Sequence, residues 1–399
     1  METRVRVKKI VLGLLLSVLL VLLFSWIGNE VVFKNRGVTS DFYFFWFGGR
    51  SLLEHKYLYS AEATNEIQEF VFSGPLEPGE YSRPFPYPAF FALLFLPFGV
   101  FSYPAALSIW LSLQFPILFV ALYLFKKFLN LELPNWELGL LFVAGSIGFF
   151  YAVISYTLGQ LSILILFLFV TAFYFLQIGR PVWAGVILSL IAVRPDMFLV
   201  GCIACGVIAW DSKKDLITAA ISTLVSFLVM NLLTIFLMGL WYADWLEILA
   251  YYSSHNPHTR WPLDILPNAG TKISLVVILF AYLLWQARQS LIAPTQRNKI
   301  SVLSILIPVY MIVTTMTGSY HMTLLLIPLL ILLQMYSRYN LRWVIWIMFF
   351  VPWIYWLTLA RTYPWSAQLL FPLSLLVLQA VFVFTDRRHQ VAEKDVQPV

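Results

Sequence analysis

Residues 161–176, LSILILFLFVTAFYFL, form an apolar run that contains no charged side chain. A helix rises about 1.5 Å per residue, so this run is close to the length that crosses the hydrocarbon core of a bilayer. Similar runs recur from residue 10 to residue 384, and the chain is 60% hydrophobic and 12% charged, with a mean hydropathy of +0.81. Soluble domains do not have this composition. The sequence therefore predicts an all-α, polytopic membrane protein.

The charges between the apolar runs predict how the chain is oriented in the membrane. Residues 10–27 follow a basic leader and lack a small-residue cleavage site, which favours a signal anchor over a cleaved signal peptide. The apolar runs that follow predict about 12 membrane crossings in total, if residues 182–193 and 197–210 form a hairpin that counts as two. Both termini of the protein are then expected in the cytoplasm. Most basic residues then lie on the cytoplasmic side, so the net charge of +6 reflects orientation and does not indicate nucleic-acid binding.

We expect one integral membrane domain over residues 1–399, with two long loops at the outer face and a cytoplasmic tail. The first loop carries two expected surface helices, over residues 41–55 and 61–72, and closes in a proline-rich elbow at residues 81–88. The two loops cover residues 29–86 and 241–272, and the tail covers residues 386–399.

With this orientation, a set of polar side chains falls at the outer face. The first is Asp41, a carboxylate at the head of an aromatic segment, at a depth where membrane meets water and a charge is costly. We interpret Asp41 as a general base, and the alternative is that it only caps the helix that follows. The others are Gln160, Arg194, His255, His258, Arg260 and His321.

Arg194 separates two apolar segments, and an arginine in such a position is costly unless it has a partner. Two partners are open, either Asp196 or a phospholipid headgroup. A carboxylate that faces several cationic or donor groups suits a reaction in which a hydroxyl loses a proton and an anion departs. Phosphate on a lipid is the anion that we expect at this depth.

Neither the histidines nor the cysteines predict a metal centre. His255 and His258 are separated by Pro257, which argues against both lying on one regular helix face, and the sequence offers no clear third ligand. Cys202 and Cys205 form a C-x-x-C pattern inside an apolar segment, which favours helix packing over a redox or zinc site. We expect no cofactor, and dependence on a metal stays open.

Several short motifs follow one another along the chain. They are Asp41-Phe-Tyr with Trp46, Phe85-Pro86-Tyr87-Pro88, Leu158-Gly-Gln160, Ala184-Gly185 through Arg194-Pro195, and His321 leading residues 324–328. In the order and spacing of these motifs, and in the side of the membrane on which they are expected to lie, the chain resembles glycosyltransferase family 87. These are polyprenol-phosphate-mannose-dependent mannosyltransferases of the C-type, multi-span glycosyltransferase superfamily.

The resemblance implies a C-type fold and an inverting transfer of a hexose, usually mannose. The sugar would pass from a polyprenyl phosphate to an acceptor hydroxyl outside the cytoplasmic membrane. Asp41 matches the catalytic aspartate of the family's first loop, and His321 matches a histidine of the donor site. Where the family more often has Lys-Pro, this chain has Arg194-Pro195, and the guanidinium favours phosphate oxygens. The family's second outer-loop pattern is only faintly present in residues 255–261.

We therefore predict that Asp41 deprotonates the acceptor while cationic and donor side chains bind the leaving lipid phosphate. The expected phosphate ligands are Arg194, His321, Arg260 and Gln160. Weaker candidates for contacts with sugar or acceptor are His255, His258, Tyr87 and Trp46. The expected partners are the donor, a lipid or glycan acceptor and membrane lipids. A flippase or transporter, or a ligase that moves a whole glycan from a lipid diphosphate, are the alternatives.

Overall fold

The computed structural model describes residues 41–72, 84–255, 261–314, 318–337, 341–359 and 366–396. Every regular element in these ranges is a helix, as the sequence predicts. The expected signal anchor at residues 10–27 and the start of the proline-rich elbow, residues 81–83, lie outside the described residues.

The α-helices are numbered here in chain order. They are α1 (Phe42–Leu53), α2 (Ala61–Phe72), α3 (Phe90–Gly99), α4 (Tyr103–Leu129), α5 (Asn135–Val143), α6 (Phe150–Thr157), α7 (Ser162–Gln177), α8 (Pro181–Leu190), α9 (Pro195–Ala209), α10 (Lys213–Met238), α11 (Tyr242–His255), α12 (Ala269–Ile292), α13 (Gln296–Val313), α14 (Leu326–Ser337), α15 (Arg342–Met348), α16 (Val351–Thr358) and α17 (Ser366–Val396). Shorter helical turns are a π-helical turn at Ala144–Gly148 and 3-10 turns at Ile191–Val193, Pro262–Ile265 and Ser319–Leu325.

Five helical segments in the described ranges are long and apolar enough to cross a membrane. They are α4, α10, α12, Ser319–Ser337 and Gln368–Asp386. The pair formed by α5 with its π-turn and α6 makes a sixth if it counts as one span. Shorter apolar helices, among them α7 and α9, occupy other segments that were expected to cross. The chain is thus a helical membrane protein with five or six candidate spans, and the larger count of about 12 crossings stays a prediction.

The sequence also predicts a membrane span over the apolar residues 136–156, and this segment is not one straight helix. It bends by 59° between Gly148 and Phe150, after the π-helical turn. Small residues allow the bend, because a methyl group on Gly148 would lie 2.7 Å from the Phe350 ring and one on Gly145 would lie 2.9 Å from Leu122. The freed carbonyl of Ile147 accepts a hydrogen bond of 3.1 Å from the indole of Trp353. A neighbouring side chain therefore replaces one of the helical bonds that the bend removes.

The chain divides into two compact units. Unit 1 consists of Met1–Val120, Tyr156–Leu164 and Val225–Pro257, and unit 2 consists of Ala121–Ser155, Ile165–Leu224 and His258–Val399.

In unit 1, α1 and α3 cross with their backbones in contact. A methyl group on Gly49 would lie 2.2 Å from the carbonyl oxygen of Phe95, and one on Gly99 would lie 2.6 Å from the backbone nitrogen of Arg50. A larger residue at either glycine would push the helices apart. The crossing brings buried aromatic rings together, with the ring centres of Phe45 and Phe95 5.1 Å apart. The aromatic run that follows Asp41 thus forms the core of this unit.

In unit 2, α12, α13 and α17 are joined by an apolar cluster and by a layer of polar side chains. The cluster comprises Leu263, Leu279, Ile305, Val309, Ile312, Leu369 and Leu376. In the polar layer, Tyr282 donates to Gln379, whose Nε2 donates to Ser301 Oγ at 2.9 Å. Ser301 in turn lies 3.3 Å from the Gln286 side-chain oxygen. Hydrogen bonds between helices in a bilayer contribute roughly 1 kcal/mol each, so this layer ties the three helices together.

Charged side chains of unit 2 are paired near helix ends. Lys299, at the start of α13, is buried and its Nζ lies 2.6 Å from Asp211 Oδ1. Two further pairs are Arg342 with Glu137 and Arg297 with Asp386. Each pair avoids the cost of leaving one charge alone beside apolar surroundings.

The end of α1 provides a stability test. His55 has a φ of 55°, in the left-handed region, and the Lys56 N–H bonds to the Ser51 carbonyl at 2.9 Å, which together form a Schellman cap. His55→Gly should stabilise the protein and His55→Val should destabilise it by about 1 kcal/mol or more, because glycine adopts this φ without strain. The exposed His55 side chain adds little packing.

The measurement is the thermal unfolding temperature of purified protein in detergent. The same two substitutions at Asn130, which follows α4 with a φ of 51°, serve as the matched series. Equal unfolding temperatures for the Gly and Val variants would show that these caps do not limit stability.

Candidate active site

Asp41 immediately precedes α1, in the position of a helix cap, but its side chain makes no capping hydrogen bond. Its Oδ2 instead accepts a hydrogen bond from Nε2 of Gln160. Gln160 is 3% exposed, and Asp41 is half-buried. The interpretation of Asp41 as only a cap is therefore not supported by its contacts, and its role as a base stays a prediction.

Gln160 lies in the short turn between α6 and α7. Gly159 has a φ of 64°, a left-handed conformation that suits glycine and lets the chain reverse within a few residues. The carbonyl of Gly159 accepts a hydrogen bond of 2.7 Å from the indole N–H of Trp110, on α4. Sequence reasoning missed Trp110, because an aromatic residue in an apolar helix is usually a packing residue.

In unit 2, Arg194 lies at the centre of a polar cluster. It is the residue before α9, where Pro195 occupies the first helical position. Its guanidinium contacts both carboxylate oxygens of Asp196 at 3.3 Å, and Nη1 lies 2.7 Å from Nε2 of His321. Asp196 also accepts a hydrogen bond of 2.6 Å from the Tyr310 hydroxyl. Asp196, one of the two partners considered for Arg194, is thus in contact with it.

The proton on His321 follows from this geometry. A guanidinium only donates hydrogen bonds, so Nε2 of His321 must accept the bond from Arg194 and the ring proton lies on Nδ1. His321 is 2% exposed, and Nδ1 has no hydrogen-bond partner among the residues that the structure describes. A neutral His321 thus presents a buried donor that a bound ligand could satisfy. Tyr310 was not singled out in the sequence, since it lies in the apolar α13.

The weaker candidates of the first loop are held in the aromatic core of unit 1. Trp46 donates from Nε1 to the carbonyl of Phe101 at 3.0 Å. Tyr87 stacks on Phe91, with ring centres 4.4 Å apart, and also contacts Phe45, one turn after Asp41. Both side chains keep some exposure, so both could contact a ligand at the surface of this unit.

The remaining candidates fall in the second expected outer loop. His258 and Arg260 lie outside the described residues, and His255 ends α11 with a side chain that is also outside them. The described part of this loop contacts the first loop, because Tyr57 donates a hydrogen bond to Asp244 of α11. Burial and the hydrogen bond to Asp244 raise the pKa of Tyr57 to about 12. The hydroxyl therefore stays a donor at neutral pH.

Metal-binding side chains are dispersed in the part of the chain that the structure describes. No group of three or more His, Cys, Asp or Glu residues there could hold a metal ion. Cys202 and Cys205 are free thiols, one half-buried and one buried in α9, consistent with the packing role that the sequence favours.

Comparison with known proteins identifies the family. The family model of glycosyltransferase family 87 matches residues 85–313, more than half of the chain. The chain belongs to glycosyltransferase family 87. No curated protein and no solved structure matches it. The match confirms the family assigned from the motifs. This family 87 protein is thus a membrane glycosyltransferase.

The range matched by the family model includes some of the candidate site residues of this glycosyltransferase and leaves out others. It contains Gln160, Arg194, Asp196 and Tyr310, but it begins after Asp41 and ends before His321. The roles of Asp41 and His321 therefore rest on their contacts and on the motif resemblance.

The contacts of Arg194 in this glycosyltransferase predict a coupled effect on stability. Arg194→Gln leaves Asp196 without its cation and should cost about 2 kcal/mol, a typical loss for hydrogen bonds to a charged group. The double variant Arg194→Gln with Asp196→Asn should cost less than the sum of the single variants, because removing both charges leaves neither uncompensated. Unfolding temperatures in detergent measure the coupling.

Arg342→Gln and Glu137→Gln form the comparison pair, because this second ion pair is also partly exposed, with side-chain exposures of 31% and 10% against 16% and 31% for Arg194 and Asp196. Additive effects of Arg194→Gln and Asp196→Asn would contradict the ion pair.

Proposed function

We propose that this protein is an inverting hexosyltransferase that uses a polyprenyl-phosphate-linked sugar, with mannose as the first candidate. The acceptor is a hydroxyl on a lipid or glycan at the outer face of the cytoplasmic membrane. Family membership supports sugar transfer in general, and the motif resemblance supports the donor class. The observation that carries the proposal is the contact of Asp41 with Gln160 in place of a helix cap.

Asp41 acts as the general base in this proposal. The Gln160 amide is uncharged, so its hydrogen bond orients the carboxylate without adding positive charge. As the acceptor oxygen attacks the anomeric carbon, its proton passes to Asp41 and the bond from that carbon to the phosphate oxygen breaks. One displacement inverts the anomeric centre, and no covalent sugar–enzyme intermediate is needed.

Arg194 and His321 stabilise the departing polyprenyl phosphate. Negative charge grows on the phosphate oxygens in the transition state, and a guanidinium donates to them through strong, charge-assisted hydrogen bonds. Asp196 and Tyr310 hold the guanidinium in one orientation, while the Nδ1 proton of His321 provides a further donor. Arg260 is a further candidate, and Gln160 serves better as a partner of Asp41 than as a phosphate ligand.

The remaining expectations belong to the same proposal. They are a C-type fold in one domain over residues 1–399, about 12 crossings, cytoplasmic termini and a site at the outer face. A ligase acting on lipid-diphosphate glycans would need the same anion-binding chemistry, so the experiment must separate the donors. His255, His258, Trp46 and Tyr87 stay candidates for contacts with acceptor or sugar.

Transfer of labelled mannose from synthetic polyprenyl-phosphate-mannose, by purified protein in lipid nanodiscs, tests the base. Asp41→Asn keeps the shape of the side chain but cannot accept the proton, so kcat should fall by about 10²-fold or more. Glu66→Gln, which changes an exposed carboxylate of α2, is the control and should transfer normally.

Equal transfer by Asp41→Asn and wild type would remove Asp41 as the base. If wild type transfers only other hexoses from the same lipid phosphate, the sugar assignment is wrong and the donor class stands. Transfer only from lipid-diphosphate glycans would identify a ligase instead.

Two conservative substitutions distinguish the roles of the two ring nitrogens of His321. Asn places a donor near the position of Nδ1, whereas Gln places an amide near Nε2, which contacts Arg194. If Nδ1 donates to the phosphate, His321→Asn should retain more activity than His321→Gln, whose kcat should fall by about 10²-fold as for loss of an oxyanion donor. Steady-state kinetics at saturating donor give the comparison, and a more active Gln variant would assign the role to Nε2.

A further inference from the structure

The proposed base and its amide partner lie on separate segments of unit 1, 119 residues apart in the chain. Asp41 precedes α1 and Gln160 lies in the turn between α6 and α7, so neither residue is inside a helix. Hydrogen bonds within the helices therefore do not fix the position of one side chain relative to the other. Contacts between the segments and their neighbours therefore hold the two in register.

One side chain contacts both segments. The indole N–H of Trp110 donates to the carbonyl of Gly159 at 2.7 Å, one residue before Gln160. The ring of Trp110 also stacks on Phe42, one residue after Asp41, with ring centres 5.6 Å apart and planes 14° apart. Trp110 is 3% exposed, so both contacts are made away from solvent.

The hydrogen bond fixes the turn. Gly159 lies outside α6 and α7, so its carbonyl needs a hydrogen-bond donor other than the backbone of these helices. If the turn moved, this carbonyl and the indole N–H would both lose their bond in a buried position, which is costly. Since Gln160 follows directly, the bond to Gly159 also restrains where its side chain starts.

The stack fixes the other segment. Phe42 contacts Phe95 and Phe98 through ring edges, and Trp110 contacts the same two rings. The indole is therefore packed on more than one side and is held in one orientation. Because the same rigid ring touches Phe42 and bonds to Gly159, it sets the distance between the two segments.

We propose that Trp110 is a positioning residue that holds the Asp41 carboxylate and the Gln160 amide in contact during transfer. The inference deepens the proposed function and rests on Asp41 being the base. Small displacements of a catalytic group lower the rate steeply without weakening substrate binding. Loss of the Trp110 hydrogen bond should therefore lower kcat and leave the KM values for donor and acceptor nearly unchanged.

The test uses the full-length protein in nanodiscs and a substitution that removes the N–H together with the five-membered ring of the indole. Trp110→Phe keeps a ring for the stack, and kcat should fall on the order of 10- to 100-fold with KM values within about two-fold of wild type. Trp353→Phe is the control, because it also loses an indole bond to a backbone carbonyl, the more exposed bond to Ile147 in unit 2, and its kcat should stay within about two-fold. If Trp110→Phe does not fold, β-(3-benzothienyl)alanine at position 110 replaces the N–H by sulfur with the bicyclic shape retained.

A double variant shows whether Trp110 acts through the pair. In a Gln160→Leu background, Trp110→Phe should add little further loss, because the contact that it supports is already absent. Fully multiplicative losses, or a raised KM with unchanged kcat, would overturn the positioning role.

Asp41→Asn separates the two proposals. If Asp41→Asn is inactive and Trp110→Phe equals wild type, only the positioning role fails. If Asp41→Asn transfers as wild type does, Asp41 is not the base and the inference about Trp110 fails with it, whereas the sugar transfer itself stands. If wild type transfers no sugar from any lipid-linked donor, the proposed function fails.

Discussion

A polar group beside hydrocarbon has no water to bond with, so it needs a partner from the protein. The described residues meet this need repeatedly. Arg194 contacts Asp196 and His321, Lys299 contacts Asp211, and Gln379 bridges Tyr282 and Ser301. Each of these contacts joins different helices or turns of unit 2, except the local pair of Arg194 with Asp196. The demand for partners therefore also determines which helices are held together.

Helix positions could be predicted from the sequence because their signals are local. The expected surface helix over residues 61–72 matches α2, and the apolar run over residues 161–176 matches α7 to within one residue. The bend between α5 and α6 could not be predicted. Gly145 and Gly148 fit an apolar span equally well, and the helix breaks there because Leu122 and Phe350, distant in sequence, pack against the two glycines.

The candidate site was predictable by residue type, and of its contacts the sequence offered only the local pair of Arg194 with Asp196. Asp41, Arg194 and His321 stand out because a polar side chain is conspicuous among apolar neighbours. Their partners that are distant in sequence do not stand out in the same way. Tyr310 and Trp110 lie in apolar helices, where aromatic residues usually only pack, and the contact between Asp41 and Gln160 joins residues 119 apart. Local patterns carry no information about such pairings.

The pair of Arg194 with Asp196 has a consequence for selectivity. Asp196 competes with any other anion for the Arg194 guanidinium. Because it is only two residues away, its effective concentration at the guanidinium is on the order of millimolar or above. A dilute soluble anion would rarely displace it. A phosphate on a lipid is confined to the thin layer of the membrane, where its local concentration is far higher than in bulk solution. In the proposed function, an anion delivered by the bilayer therefore competes for Arg194 where the same headgroup free in water would rarely do so.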